Sequence, residues 1–492
     1  MREESMVGIA SFGGYIPRRR LSRKAIVDAN GWFNAGLRAY AKADRAICAW
    51  DEDSVTMAVE AARDALADAP RDGFRALYLA TTSAPFEDRQ NAGIVAQALR
   101  LGAELNTMDV GASQRAGTTG LIAALDAVAA RGGPVLYLAA EKRRAAAASP
   151  AELLYGDGAA ALILDRADGV ARFLGSRSAS VDFVDHYKGK GREFDYGWEE
   201  RWIRDEGFLK IVPPVIAGAL AEAGVKAADI AHFCLPCTLP RVAQAIAKQV
   251  GLSESSIRTN LDGACGDTGT AHPLVMLVHA LQEAKPGERI LVASFGNGSD
   301  ALVFEATGAL PAMQQKRRGI IGSLRQRKEE ANYAKYLATN DLVKMERGLR
   351  AEVDKQTPLT TLYRKKDMLL SLVGGRCERC GTVQFPKSNI CVNPNCRAMH
   401  SQVDQPFSEF SGKIMSFTAD NLTYCPEPPA HYGMVQFTEG GRMMVDFTEV
   451  DAGEVEVGMP MRMVFRIKEV DPARGFTKYF WKAAPAGGAK EV

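Results

Sequence analysis

Four cysteines carry the clearest chemical signature in the chain. Cys377 and Cys380 form one C-x2-C pair, and Cys391 and Cys396 form a C-x4-C pair shortly after it. Two thiolate pairs at this spacing can close around one tetrahedral metal, and Gly381 and Pro386 between them permit the turns of a short hairpin. Four thiolates fill the coordination shell, so the pattern predicts structural zinc with no position left for water or substrate. Paired disulfides fit less well. The opening MREESMVGIASFGGYIPRRR has no apolar signal core after its charges, and nine cysteines in 492 residues is not a disulfide-rich composition.

A second set of reactive types lies upstream. The segment 262 DGACGDTGTAHP 273 holds Cys265, Asp267 and His272 in a glycine-rich bend before an apolar run, a setting that can project a polar side chain into a cleft. Packing of Cys265 and capping by His272 are the competing roles. Cys234 and Cys237 flank Pro236 at the end of another apolar run. Asn297 stands between Gly296 and Gly298, which permit close backbone approach or simply a turn. The polar and aromatic stretch 185 DHYKGKGREFDYGWEERW 202 supplies Tyr187, Lys188, Arg192 and Tyr196, and Arg241 is a further cation.

The elements that must position these residues are read from periodicity. From Met6 to about Ala306 short apolar runs alternate with longer amphipathic ones. Examples of the short runs are VGIASFGGYIP, ALYLATTS, PVLYLAAE, AAALILD, IAHFCLP, RILVASFGNGS and ALVFEAT. A helix is expected over 53 to 69, with Asp53 or Ser54 as its cap. The pattern is layered α/β with buried sheets. Two stretches, 109 DVGASQRAGTTGLIAALDAVA and 262 DGACGDTGTAHPLVMLVHAL, look alike in carrying a small-residue loop into a buried helix, which points to internal duplication. The charged segment 315 to 355 reads as mostly helical. Beyond the cysteines, SGKIMSFTAD, YGMVQFTE, RMMVDFTEV and MPMRMVFRIKEV are strand-like runs of a small five-stranded barrel.

Formal charge is only +2, from 61 basic and 59 acidic residues, and 47% of residues are apolar. Neither nucleic acid nor an anionic membrane is called for, and no apolar run reaches membrane-spanning length. A soluble cytoplasmic protein is expected.

The segments DEDSVTMAVEAA, YGDGAAALIL and FGNGSDALVF, with the paired small-residue helices, resemble the thiolase superfamily and its archaeal and bacterial hydroxymethylglutaryl-CoA synthase branch, over roughly residues 5 to 345. Residues 350 to 485 resemble the acyl-CoA-associated rubredoxin-like zinc ribbon and OB fold that partner such enzymes. The resemblance implies a five-layered αβαβα fold with internal duplication, fused to the ribbon and the all-β OB fold. The expected boundaries are 1–165 and 166–345 for the two thiolase-like halves, 346–374 for a linker helix, 375–402 for the ribbon and 403–485 for the OB fold.

That branch uses a cysteine nucleophile, a histidine at the acyl carbonyl and a glutamate acid/base. Here Gln114 takes the cysteine position beside Ser113, Cys234 the histidine position two residues from His232, and Thr82 the glutamate position, with Glu87 nearby. The resemblance therefore implies a CoA-thioester enzyme that forms or cleaves carbon–carbon bonds through a non-standard site. Its candidate catalytic residues are Gln114, Cys234, Cys265, His272 and Asn297, and Lys188, Arg192 and Arg241 are candidates for the CoA phosphates. Cys234 or Cys265 would serve an acyl-enzyme route, and Gln114 a non-covalent one. Two other readings stand beside it: a non-catalytic CoA-binding scaffold that partners an active thiolase, and an acyltransferase of the phloroglucinol or polyketide type. A homodimer, and a thiolase partner in a larger complex, are further expectations of the resemblance.

Overall fold

The computed structural model describes residues 7–67, 69–166, 169–352 and 357–487. The chain divides into two compact units, the first comprising 1–48, 53–96 and 101–333 and the second 49–52, 97–100 and 334–492.

The first unit is built on nine strands, β1 (Gly8–Tyr15), β2 (Ala76–Ala80), β3 (Asn106–Val110), β4 (Val135–Glu141), β5 (Gly158–Asp165), β6 (Ala171–Ser180), β7 (Ile230–Cys234), β8 (Arg289–Phe295) and β9 (Gly298–Ala306). Their spatial order is β7-β8-β9-β6-β1-β5-β4-β2-β3. Only two residue pairs, Gly8 with Arg172 and Ile9 with Ala171, join the two halves between β1 and β6. Each half repeats one plan: a parallel pair, β2 with β4 or β7 with β8, followed by an antiparallel partner, β5 or β9. This is the expected duplication, written in strand direction.

Five helices complete the layers: α1 (Ser54–Leu66), α2 (Ala116–Arg131), α3 (Leu209–Ala223), α4 (Val242–Val250) and α5 (His272–Glu283). Side chains alternate across a strand, so neighbouring residues report opposite faces. Ile290, Val292, Leu302 and Phe304 share a core with Leu121 and Leu125 of α2 and Leu274 and Leu277 of α5, and with Tyr137 and Leu162 of the other half. Their neighbours Leu291, Ala293, Ala301 and Val303 pack instead with Val212 and Ile216 of α3 and Ile246 of α4. Helix α1 covers β1, β5 and β4 from the remaining side. The order is thus helix, sheet, helix pair, sheet, helix, the five layers anticipated. Helix α1 starts where expected, with Asp53 accepting from Thr56 N at 2.9 Å in a capping box, but ends at Leu66 rather than 69.

In the second unit, β10 (Val373–Cys377) pairs with β11 (Val383–Gln384) and β12 (Gln402–Pro406) to form the ribbon. Five longer strands follow: β13 (Ser411–Asp420), β14 (Ala430–Phe437), β15 (Arg442–Asp446), β16 (Pro460–Asp471) and β17 (Phe476–Pro485), ordered β15-β14-β13-β16-β17. A parallel bridge between Phe447 and Ala483 joins the two ends and closes the barrel. Inward-facing Ile414, Val435, Val445, Phe465 and Trp481 fill it. The charged stretch from 315 is more broken than its composition suggests. It holds the short helices Leu310–Lys316, Gly319–Arg325 and Tyr333–Thr339, and Lys328–Glu330 adds a strand to Arg19–Ser22. In place of one linker helix, the described residues of 346–374 hold the short helices Leu359–Arg364 and Lys366–Leu369 and a 3-10 turn at Leu349–Ala351, and residues 353–356 lie outside the described residues.

Sharing one helical layer between two sheets forces α2 and α5 together at their beginnings. A Cβ placed on Gly117 would stand 2.1 Å from the Thr270 carbonyl oxygen. Gly117→Ala must push the helices apart, at a cost of about 1–3 kcal/mol. Calorimetry is expected to show a lower transition temperature for this variant, and an unchanged transition would mean that the approach is not a tight constraint.

Candidate functional site

A cavity of about 450 Å³ opens in the first unit around the start of α2. Gln114 lies on its wall, two residues before the helix begins. The amide is held from both ends. Its Nε2 donates to Thr82 Oγ1 at 3.2 Å, and its Oε1 accepts from Thr270 Oγ1 at 3.4 Å. Thr82 in turn donates through both its backbone N and its Oγ1, each 3.0 Å from Oε2 of Glu141, a carboxylate with no exposed surface at the end of β4. This chain fixes which end of the amide is nitrogen and uses one of the two N–H groups of Nε2.

The opposite wall is ionic. Arg143 donates to Asp195 Oδ2 from Nη2 at 2.7 Å and from Nε at 3.2 Å, and its guanidinium lies over the Tyr155 ring at 3.5 Å. Tyr155 Oη accepts from Arg143 Nη2 and donates to Asp195 Oδ2 at 3.1 Å. Asp267 Oδ2 stands 3.9 Å from Arg143 Nη1, and its Oδ1 accepts from Gly269 N at 2.9 Å. Burial opposes charge on Arg143, but Tyr155, Asp195 and Asp267 outweigh it and hold the guanidinium protonated. Burial pushes the Tyr155 phenol up, and only Arg143 pulls against it. Asp195 is desolvated too, yet Arg143 keeps its carboxyl below the ordinary carboxylate value. The two walls meet at Gly269, whose φ of 53° lies in the left-handed region. A Cβ there would be 2.6 Å from Gln114 Oε1 and 2.8 Å from Arg143 Cδ.

The structure sorts the residues singled out by sequence. Gln114 faces the cavity. Cys234 and Cys265 have no exposed surface and are absent from its wall; burial pushes each thiol up to about 12. Cys237, on the wall but half-buried, is likewise pushed up to about 12. His272 is turned inward. Its Nδ1 accepts from Thr268 N at 2.9 Å and its Nε2 donates to the Asn260 carbonyl at 2.6 Å, which leaves no ring nitrogen for a substrate. Asn297 occupies the β8–β9 turn at φ 51° and donates to the Phe183 carbonyl at 3.2 Å. Lys188, Arg192 and Arg241 are exposed and do not line this cavity.

Arg143, Tyr155, Asp195 and Glu141 escaped sequence reasoning. Arg143 sits in the run EKRR, which reads as a solvated strand end, and Asp195 lies in a loop whose aromatic residues drew more notice. The useful signal was Tyr155 at the head of YGDGAAALIL, a polar aromatic just before a buried strand.

In the second unit the sulfurs of Cys377, Cys380, Cys391 and Cys396 all lie within 4.8 Å of one another. Cys380 and Cys391 are 3.5 Å apart and Cys377 and Cys396 3.9 Å apart. A tetrahedral site with zinc–sulfur bonds of about 2.3 Å has sulfur–sulfur edges of about 3.8 Å, so the four thiols fit such an ion. Ser401 Oγ at 3.2 Å from Cys377 and Thr382 Oγ1 at 3.2 Å from Cys380 add hydroxyls beside the sulfurs.

At pH 8 a thiol of pKa near 12 is thiolate in only ~10⁻⁴ of molecules. Peptide mass spectrometry after brief iodoacetamide treatment at pH 8 is therefore expected to find Cys234, Cys237 and Cys265 unmodified in the folded protein and alkylated after denaturation. Rapid labelling of any of the three without denaturation would contradict the burial described.

Comparison with known proteins agrees with this architecture. Residues 220–305 match the C-terminal domain of 3-oxoacyl-[acyl-carrier-protein] synthase III, residues 370–399 the rubredoxin-like zinc ribbon domain of ChsH2, and residues 405–466 the C-terminal OB-fold domain of ChsH2. The hydroxymethylglutaryl-CoA synthase of Pyrobaculum neutrophilum is 28% identical over 350 residues, covering 69% of this chain and 98% of the relative. Among solved structures, 3-oxoacyl-(acyl carrier protein) synthase III, FabH, from Pseudomonas aeruginosa PAO1 superposes with a TM-score of 0.55 at 21% identity, covering 61% of this chain and 98% of that one. MvaS in complex with 3-hydroxy-3-methylglutaryl coenzyme A gives 0.58 at 18% identity, covering 69% and 92%. The chain thus combines a thiolase-like region, similar to hydroxymethylglutaryl-CoA synthases, with zinc-ribbon and OB-fold domains that match those of ChsH2.

Proposed function

We propose that the first unit binds a CoA thioester and makes or breaks the bond between its α and β carbons by aldol-type chemistry, without an acyl-cysteine. The observation that supports this reading is the amide of Gln114, held between Thr82 and Thr270 on the cavity wall; the resemblance implies that it takes the place of the related synthases' nucleophile, and its second N–H would serve a thioester oxygen. A carboxamide cannot take up an acyl group under these conditions, but it can donate to a thioester oxygen as that oxygen gains negative charge. Kinship with hydroxymethylglutaryl-CoA synthases supports CoA as the carrier.

In the cleavage direction, the β-hydroxyl proton passes to Tyr155 Oη as the phenol proton passes to Asp195 Oδ2. The electrons of the α–β bond move onto the thioester as an enolate held by Gln114, and an aldehyde or ketone departs. The enolate then recovers the proton at its α carbon, giving a shortened acyl-CoA. Bond formation runs the same steps backwards. Arg143 holds Tyr155 and Asp195 in register throughout. In the second unit, Cys377, Cys380, Cys391 and Cys396 would hold a structural zinc ion whose shell is closed by four thiolates.

The test is to incubate the full chain with a panel of β-hydroxyacyl-CoA thioesters and follow both carbonyl release and the shortened acyl-CoA. Turnover is expected, with Gln114→Ala lowering kcat by about 10²–10³-fold, in the range for loss of one oxyanion donor. Tyr155→Phe is expected to abolish proton transfer, whereas Cys237→Ser changes kcat by less than about threefold. Loss of activity in Cys237→Ser, or CoA binding with no turnover across the panel, would overturn the proposal; the latter is the scaffold outcome. Elemental analysis is expected to find one zinc per chain, lost together with the folded ribbon in Cys391→Ser.

A further inference from the structure

We infer that the Asp195–Arg143–Asp267 arrangement is a specificity device that excludes acyl groups ending in a carboxylate, so that the substrate class is CoA thioesters with uncharged acyl chains. This rests on the CoA-thioester reading above and asks what the same cavity admits.

An arginine inside a substrate cavity would ordinarily be the group that captures an acyl carboxylate, since its planar fork matches that geometry. Here the fork is already engaged. Asp195 takes two of its N–H groups through one oxygen, Tyr155 Oη takes a share of Nη2, and Asp267 lies against Nη1. Two carboxylates against one guanidinium leave a local excess of negative charge, on side chains 13% exposed at Asp195 and 27% at Asp267.

The rest of the wall adds to it. Glu200 also lines the cavity, as does Asp185, whose Oδ2 is 2.8 Å from Nδ1 of the lining His186, and Arg144, the other guanidinium on the wall, is paired with Glu193 at 2.7 Å. A second anion entering this volume meets repulsion poorly screened by water, and no unpaired arginine is present among the described lining residues to offset its desolvation. The apolar surface needed for a neutral chain is present in Leu154, Ile203, Phe208, Leu239 and Phe295. Discrimination of this kind works by repelling the wrong ligand as much as by attracting the right one.

The experiment is calorimetric titration of the full-length protein with pentanoyl-CoA and glutaryl-CoA, which share carrier and chain length and differ in the terminal carboxylate. Wild type is expected to bind glutaryl-CoA at least about tenfold more weakly. Asp267→Asn removes one charge from beside Arg143 while keeping the shape, and is expected to tighten glutaryl-CoA by about fivefold or more with pentanoyl-CoA changed by less than about twofold. Equal binding of the two ligands by wild type, or a gap that Asp267→Asn does not narrow, overturns the inference while leaving the CoA reading intact. Failure of wild type to bind either ligand removes the CoA reading, and this inference with it.

Discussion

The close approach of two helix beginnings is the constraint on which the first unit depends. Two sheets share a single layer of helices, so α2 and α5 each pack against both sheets and against each other. That is possible only where their first turns lack side chains at the contact. Gly117 supplies this on one side, with the Thr270 carbonyl directly against it, and Gly269 supplies the turn on the other. The approach also builds the site. It sets Thr270 beside Gln114, Glu141 behind Thr82 and Arg143 across Gly269, so the Gln114 side of the cavity is a product of core packing.

Electrostatics then decides what that wall can do. The buried thiols of Cys234 and Cys265 are held neutral by the same dry core that positions the helices, and His272 is consumed in tying the 260 and 268 segments together. The polar groups that face the cavity include a neutral amide on one side and an arginine clamped between carboxylates on the other. A neutral donor suits an oxygen whose charge appears only during reaction, because it does not bind the resting thioester much more strongly than water does. The phenol of Tyr155, kept protonated by burial, is matched to an alkoxide rather than to a carboxylate.

Much of this was legible in the sequence, for definite reasons. Buried strands such as AAALILD and RILVASF announce themselves by continuous apolar character, and the four cysteines by their spacing alone. Gln114 could be found through the resemblance, which puts it at the cysteine position ahead of an Arg-Ala-Gly-Thr run. The acidic and basic residues of the opposite wall were hidden by their chemistry. Arg143 and Asp195 are 52 positions apart and look like surface charges until the fold brings them to 2.7 Å. Candidates such as His272 and Cys265 carry chemical promise that sequence cannot distinguish from burial, since only the packed core shows which atoms reach a cavity. The broken helices after residue 310 reflect a similar limit, because the pairing of Lys328–Glu330 with a distant strand overrides local helical propensity.

The central claim is that carbon–carbon chemistry proceeds here without covalent attachment of substrate to a cysteine. Intact-protein mass spectrometry, quenched in acid during turnover of a β-hydroxyacyl-CoA that yields product, addresses it most directly. The account predicts an unmodified polypeptide mass at every time point while shortened acyl-CoA accumulates. An acyl adduct that forms and decays at the turnover rate, mapped to Cys237, Cys234 or Cys265, would contradict it.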